Sequence, residues 1–267
     1  MYIIPGEFEE FISAACNRQQ FIVSWLKKRG IEAPVISMNG NNHIYVKFPL
    51  RQYNPIYKIK TVIAHYDRVS GSPGANDNSA AVFSMLEWAC KLYDSFECHN
   101  IRLIFTDGEE RGEEGVNQQG AYDLAQLFKN LNIVNDDIFV FDCMGRGDIP
   151  VISKIKFPKN VSPQFLKQYE QLEKKAEKLL SQANNGKWFK VSSDYSDNIS
   201  FLVNGIPAVA ISLLPSVEVE SASQGCRVRT WEYLHTAKDN LETLWPESFE
   251  LTQKILILLA KARFIIE

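Results

Sequence analysis

The chain has 267 residues, of which 45% are hydrophobic and 23% are charged, and its formal net charge is −3. This composition is typical of a globular protein and excludes a disordered, collagen-like or coiled-coil chain. The near balance of acidic and basic residues gives no indication of nucleic acid or another polyanion as a partner. We therefore expect a folded protein with a substantial core of its own.

In chain order, hydrophobic periodicity predicts helices and strands that largely alternate. The pattern predicts helix 7–28, strand 43–48, strand 59–65, helix 79–93, strand 101–105, helix 121–128, strand 138–143, helix 163–182, strand 207–214 and helix 247–264. No repeat, low-complexity run or linker interrupts them. The alternation predicts a single α/β domain over residues 1–267, with helices on both faces of a mixed, mostly parallel twisted central sheet.

No targeting or membrane signal is visible in the sequence. The first ten residues contain three acidic residues, where a signal peptide has a basic start followed by an apolar run. The longest apolar stretch, residues 255–260, is far shorter than the ~20 residues of a spanning helix. The five cysteines form no C-x-x-C pair, which favours free thiols. We expect a cytoplasmic protein with no membrane partner, or a secreted protein if a leader has been removed.

Residues able to bind metal follow the predicted strands or lie in loops beside them. In an open α/β sheet, ligands bind beyond the carboxyl ends of the strands. The candidates at such positions are two histidines, two aspartates and a glutamate pair: His65, Asp77, Glu109, Glu110, Asp142 and His235. Imidazole and carboxylate together suit zinc, with four or five ligands per ion. The sequence therefore predicts a zinc site at this edge of the sheet.

Charge counting favours two ions. Two Zn²⁺ ions bring four positive charges, and Asp77, Glu110 and Asp142 bring three negative ones if both histidines are neutral. One bridging hydroxide roughly balances the remainder, and two metals ~3.5–4 Å apart can share it. Because adjacent side chains point apart, one glutamate of the pair can bind metal while the other takes a proton from the water.

Five blocks between residues 59 and 240 resemble the zinc-dependent aminopeptidase family that also contains glutamate carboxypeptidases, transferrin-receptor-like proteins and glutaminyl cyclases. The blocks are H-x-D at 65–67, G-A-x-D-N-S-A at 74–80, E-E at 109–110, D-x-x-G at 142–145 and H-T-x-x-D at 235–239. Each block is weak alone, but together and in this order they are specific. The resemblance implies a zinc exopeptidase fold of the phosphorylase/hydrolase-like type.

The resemblance also implies which residues hold the metals. Asp77 would bridge two zinc ions per chain, for which cobalt or manganese are possible substitutes. His65 and Asp142 would complete one site. Glu110 and His235 would complete the other.

Catalytic and substrate-binding roles are implied in the same way. Glu109 would be the general base, and Asp67 would hold the His65 ring in place. Asp197 and Asn198 belong to a segment similar to the family's S-D-H-x-x-F…G-I-P-A block, which lines the substrate site in relatives. The family usually has histidine where this chain has Asn198, and this departure bears on substrate preference.

A second departure leaves two positions open for the glutamate pair. The relatives read E-E-x-G-x-x-G-S, whereas residues 111–115 here include an insertion with a second E-E-G, at Glu113 and Glu114. We place the catalytic pair at Glu109 and Glu110, because these residues follow the predicted strand more closely.

The expected function is that of a metal-dependent exopeptidase of the aminopeptidase type, acting on a peptide or aminoacyl substrate. A hydroxide bridged by two zinc ions would attack the N-terminal peptide bond, with Glu109 as base. The alternative is a glutaminyl-cyclase-like, single-zinc aminoacyltransferase that forms N-terminal pyroglutamate. Cyclases tend to read D-S-A where residues 77–80 read D-N-S-A, which is nearer the two-metal pattern. A carboxypeptidase-like preference and a catalytically inactive interaction module are further alternatives, and the sequence gives no oligomeric state.

Overall fold

An eight-stranded sheet organises the computed structural model, which describes residues 2–193 and 196–265. The strands in chain order are β1 (Val35–Met38), β2 (Asn41–Val46), β3 (Lys60–His65), β4 (Ile101–Thr106), β5 (Asp137–Phe141), β6 (Ile149–Ser153), β7 (Phe189–Val191) and β8 (Ala208–Leu214). Their order across the sheet is β1-β2-β4-β3-β5-β8-β6-β7. Strands β4, β3, β5 and β8 are parallel, whereas β2 and β6 run antiparallel to their neighbours β4 and β8. The predicted mixed, mostly parallel sheet is confirmed.

Helices cover both faces of this sheet. They are α1 (Gly6–Ile12), α2 (Arg18–Lys27), α3 (Ala80–Asp94), α4 (Gly120–Asn130), α5 (Pro163–Ala183), α6 (Asn198–Val203), α7 (Ser216–Ser223), α8 (Arg229–Tyr233) and α9 (Pro246–Lys261). Strand β3 is buried along its whole length, as expected for a parallel strand covered on both faces. Val62 packs into the larger core with α3 and α9, and Ile63 packs on the opposite face with α4 and α6.

The prediction of one continuous helix over residues 7–28 is wrong. The chain leaves helical geometry after α1 and re-enters it at α2, where the Asn17 side chain accepts a hydrogen bond from the Gln20 backbone N–H. Asparagine is a favoured residue at this capping position, because its oxygen satisfies a free N–H of the first turn. The break places Arg18, the first residue of α2, in a buried position.

Other predicted bounds are shifted, and several short elements were not predicted. The predicted strand 138–143 ends at Phe141, so that Asp142 lies just beyond it, and the predicted helix 247–264 ends at Lys261. The strand predicted over 43–48 is β2. Strands β1, β6 and β7 and helices α6 to α8 lacked a predicted counterpart, mostly because they are short. In the described part of the chain, no helix has the length and apolar character needed to span a membrane. Residues 1 and 266–267 of the predicted domain lie outside the described residues.

Candidate metal centre

The carboxyl ends of the parallel strands bring the predicted ligands together. His65 is the last residue of β3, Glu110 lies in the loop after β4, and Asp142 directly follows β5. Asp77 lies in the loop before α3, and His235 follows α8. Residues far apart in the sequence therefore meet at one edge of the sheet, as the topology of an open α/β fold requires.

Two groups of three side chains share Asp77. In the first group, His65 Nε2 lies 3.1 Å from Asp77 Oδ1 and 3.5 Å from Asp142 Oδ1. In the second, His235 Nε2 lies 3.2 Å from Asp77 Oδ2 and 3.0 Å from Glu110 Oε2. The candidate ligand atoms of each group lie within 4.8 Å of one another. The two oxygens of Asp77 thus face different histidines, which is the arrangement that a bridging carboxylate needs.

The donor atoms of the first group fit a cation. The His65 ring is fully buried, and neither ring nitrogen makes a well-formed hydrogen bond with the described residues. Asp142 Oδ1 is buried in the same way. Buried polar atoms without partners are costly, and a divalent ion between imidazole and carboxylate would satisfy them. The residues present therefore fit a divalent ion in each group.

The carboxylates of the cluster lie so close together that several of its side chains are more easily protonated than usual. Burial and the neighbouring charge of Asp77 raise the pKa of Glu110 to about 7. Hydrogen bonds to Asp77 and Glu110 raise the pKa of His235 to about 11. Burial opposes protonation of His65, but the carboxylates around its ring raise its pKa well above the usual value. Cations would take over the role of these protons.

Glu109 lies beside the cluster and is held by a different set of contacts. Gln119 Nε2 donates to Glu109 Oε1 at 3.0 Å, and the Ser200 hydroxyl donates to Gln119 Oε1 at 2.7 Å. Burial raises the pKa of Glu109 well above its usual value, and the charges of Asp197 and Asp142 add to this shift. Because Gln119 holds Oε1, the other oxygen, Oε2, is the one available to exchange a proton.

Each histidine has a carboxylate next to its second ring nitrogen. Asp67 Oδ1 lies 3.4 Å from His65 Nδ1, and the Asp67 carboxylate also accepts both backbone N–H groups of the glutamate pair. Glu113 Oε1 lies 3.3 Å from His235 Nδ1. Such partners fix the orientation and tautomer of a metal-binding ring.

The structure brings the first glutamate pair, not the second, to the ligand cluster. Glu109 is buried and Glu110 half-buried beside the histidines, whereas Glu113 and Glu114 are exposed on the short 3₁₀ helix Glu110–Glu114. The contact of Glu113 with His235 is a feature of the insertion that the sequence analysis missed.

Asp197 and Asn198 are fully buried and do not line the cavity beside the cluster. This cavity has a volume of about 460 Å³, and the neighbouring Ser196 and Ile199 lie on its wall. The Thr106 hydroxyl donates to Asp197, and burial raises the pKa of Asp197 to about 7. A role for Asp197 and Asn198 in substrate binding stays a prediction.

Two positioning residues were also missed by the sequence analysis. Asp239 accepts the backbone N–H groups of Asn76 and Asp77 at 2.7 and 3.1 Å, and so holds the loop that carries the shared carboxylate. The sequence did contain a signal for Asp239, because it is the last residue of the H-T-x-x-D block. Arg18 donates five hydrogen bonds to the connection between β3 and α3, which carries Asp77, and no motif marks it.

Comparisons with known proteins agree on one fold. The profile of peptidase family M28 matches residues 48–260. The LapA aminopeptidase of Legionella pneumophila is similar over 97% of this chain and 75% of its own, with 17% identity and a TM-score of 0.66. A glutaminyl cyclase of Porphyromonas gingivalis is similar over 95% of both chains, with 16% identity and a TM-score of 0.68. BSAP, a zinc aminopeptidase of Bacillus subtilis, is similar over 82% of this chain and 49% of its own, with 18% identity and a TM-score of 0.57. A search of curated proteins finds no match.

Proposed function

Because the chain belongs to peptidase family M28 and is a metallopeptidase of that family, we propose that it is an aminopeptidase that binds two zinc ions. The observation that carries the proposal is the position of Asp77 between two histidines, with Oδ1 3.1 Å from His65 and Oδ2 3.2 Å from His235. A carboxylate shared in this way suits two ions better than one. Asp142 would complete the first site and Glu110 the second.

The residues around the cavity provide the proton transfers of hydrolysis. Two zinc ions, when bound, would polarise the scissile carbonyl and lower the pKa of a water molecule in the cavity. Glu109 takes a proton from this water on Oε2 and passes it to the leaving amine, while Gln119 holds Oε1 in place. Asp67 keeps the His65 ring oriented throughout.

Charge around the cavity supports an amino-terminal rather than a carboxy-terminal substrate. Its lining includes five carboxylates, and Arg227 is its only lysine or arginine among the described residues. Clefts of one sign concentrate ligands of the opposite sign. Two zinc ions would compensate the charges of Asp77, Glu110 and Asp142, which leaves Glu109 and Glu113 on the lining as carboxylates that can pair with an α-ammonium group.

Glutaminyl cyclisation is the second candidate, because the Porphyromonas gingivalis cyclase shares the fold over 95% of this chain. In a cyclase the amine of an N-terminal glutamine attacks the carbonyl carbon of its own side-chain amide, Glu109 would carry a proton from the amine to the amide nitrogen, and that nitrogen would leave as ammonia. One zinc ion, held by Asp77, Glu110 and His235, would be sufficient for this reaction.

Metal content and product identity together separate the two reactions. Under the two-zinc proposal, the purified chain holds two zinc ions, His65→Ala and His235→Ala each reduce the count, and N-terminal residues are released from peptides. A single ion that survives His65→Ala but not His235→Ala, with pyroglutamate formed from a glutamine peptide, would overturn the proposal in favour of cyclisation. A chain with neither product after zinc is added would refute both.

A further inference from the structure

One wall of the cavity, beyond the candidate ligands, is lined by serine hydroxyl groups. The wall consists of Ser153, Ser193, Ser196 and Ser212, which we call the serine wall. Ser153 is the last residue of β6, and Ser212 lies within β8. The other two lie between β7 and α6. Three segments of the fold, β6, β8 and the connection between β7 and α6, thus present the same small polar group to one cavity.

The serine wall replaces an apolar surface at the point where that surface reaches the cavity. Strands β6 and β8 are antiparallel, with Val151 opposite Ser212 and Ile149 opposite Leu214. Since side chains two positions apart share a face of a strand, Ser153 and Ser212 lie on the same face as these apolar residues. Ile149, Val151 and Leu214 form a small core on that face. On this face the apolar side chains give way to hydroxyls at Ser153 and Ser212, and Ala210 on the same face of β8 also lines the cavity.

The hydroxyls of the wall have hydrogen-bonding capacity left over. Ser153 Oγ and Ser193 Oγ lie 2.6 Å apart and bond to each other, which leaves one proton and further lone pairs free. Ser196 is 5% exposed, and its Oγ has no hydrogen-bond partner among the described residues. A buried hydroxyl without a partner is unfavourable, and this favours a ligand that hydrogen-bonds there.

We propose that the serine wall receives the side chain of the substrate's first residue and selects a neutral carboxamide, that of glutamine or asparagine. This inference rests on the proposed function. The Cα of an N-terminal residue carries an amine, a carbonyl and a side chain. The carbonyl goes to the candidate metal centre and the amine to the carboxylates, so the remaining wall is left for the side chain. A carboxamide both donates and accepts hydrogen bonds, as the hydroxyls do.

Other side chains fit this wall less well. An aliphatic side chain would cover the hydroxyls without pairing them, and sites built to hydrogen-bond a substrate discriminate strongly against such analogues. An ionised carboxylate side chain accepts hydrogen bonds but donates none, so it pairs with the hydroxyls less completely than a carboxamide does, although Arg227 on the lining is exposed and basic. Glutamate is therefore the informative competitor, and methionine is the near-isosteric apolar control for glutamine.

The test compares glutamine, asparagine, glutamate, methionine and leucine at the first position of otherwise identical peptides, with the zinc-loaded chain. We expect kcat/KM for glutamine to exceed that for methionine at least tenfold. Ser196→Ala and Ser212→Ala should each lower this ratio about 2- to 12-fold, the value of one neutral hydrogen bond. Ser221→Ala, at an exposed serine on α7, is the matched control and should leave the ratio unchanged.

Two further readouts separate failure of this inference from failure of the proposed function. Mass spectrometry identifies the product, and calorimetry measures binding of free glutamine, glutamate and methionine to the same chain. Formation of cyclised glutamine peptides would refute the aminopeptidase proposal. A preference for glutamine that depends on Ser196 and Ser212 would still support the role of the serine wall. Release of all residues alike, a preference for glutamate, or ratios unmoved by both alanine variants would overturn the serine wall. If nothing is turned over, equal binding of glutamine and methionine overturns it as well.

Discussion

Replacing Arg18 tests whether the N-terminal helices position the candidate metal centre. Its guanidinium is buried and donates five hydrogen bonds: to the carbonyls of Tyr66 (3.0 Å), Asp67 (3.2 Å), Pro73 (2.7 Å) and Gly74 (3.4 Å), and to Ser79 Oγ (2.9 Å). The first two acceptors follow His65, and the other three lie on either side of Asp77. Arg18 precedes residues 48–260, which match the family profile, so this connection comes from outside the matched region.

We expect Arg18→Met to lower both stability and zinc affinity. A buried acceptor that loses its donor costs about 1–3 kcal/mol, and three of the five contacts are 3.0 Å or shorter. Burial lowers the pKa of Arg18 to about 10, because a buried charge loses its hydration. Removing this charge in Arg18→Met therefore offsets part of the lost stability. The net decrease in the free energy of unfolding should be about 2–5 kcal/mol. Zinc affinity should fall about 10- to 100-fold, as when groups that orient metal ligands are removed.

Urea unfolding of the metal-free protein and competition with a chelator measure the two effects separately. Arg68→Met is the matched control, because Arg68 donates to the carbonyls of Ile12, Ser13 and Pro73, so that it contacts the connection between β3 and α3 at only one carbonyl, that of Pro73. It should lose less stability and keep its zinc affinity within a few-fold. Arg18→Lys should recover part of the affinity. If Arg18→Met is destabilised but binds zinc as tightly as the parent, the guanidinium only supports the fold, and the positioning role is wrong.

Three other predictions concern the base, the metals and the response to acid. Glu109→Gln should lower kcat about 10²- to 10⁴-fold with zinc content unchanged, whereas Glu114→Gln, at an exposed residue, should be near normal; a loss of activity with Glu114→Gln but not with Glu109→Gln would reverse the choice of pair. Chelation should lower the melting temperature, since zinc at 100 times its Kd stabilises by about 2.7 kcal/mol, and an unchanged temperature would argue against structural metal binding. His99 accepts the Ile101 N–H, and burial lowers its pKa to about 4. The unfolded chain therefore binds the extra proton between pH 6.5 and 4, and stability is lost as the pH falls through this range, by up to about 3 kcal/mol. In metal-free protein His99→Asn should flatten this loss, and parallel pH curves would contradict the assignment.

The parts of the fold that follow from local pattern were predictable. Strand β3 is apolar and β-branched on both faces, and its burial in the centre of the sheet matches that pattern. The parallel order then explains why residues that follow β3, β4 and β5 meet. Strand β6 escaped prediction because it contains Pro150, which argues against an interior strand, and because it has only five residues. The break before α2 was hidden because apolar residues continue at helical spacing across it.

Contacts between distant segments were the part of the site that sequence could not provide. The structure has Glu109 and Glu110 beside the histidines, and the signal for this position was local, since the pair follows a strand. Gln119 and Arg18 act through hydrogen bonds to groups 10 and 48 to 61 residues away, and neither residue type has a characteristic spacing for this role. Ser153 and Ser212 line the same cavity because β6 and β8 are neighbouring strands, and β6 was not predicted from the sequence.

The number of metal ions depends on how the negative charge of the carboxylates around His65 is compensated. Its ring is fully buried among Asp67, Asp77 and Asp142, and these carboxylates favour a cation at its position. If only the second group held an ion, the positive charge between these carboxylates would have to come from His65 in its protonated form. Burying a charged imidazolium ring is unfavourable even when it is paired with carboxylates. With an ion in the first group, neutral His65 would offer Nε2 to the metal while Nδ1 faces Asp67 Oδ1 at 3.4 Å, so the ring would need no second proton. Charge balance around His65 therefore favours two ions. A cyclase with one ion would have to keep His65 protonated in a fully buried position.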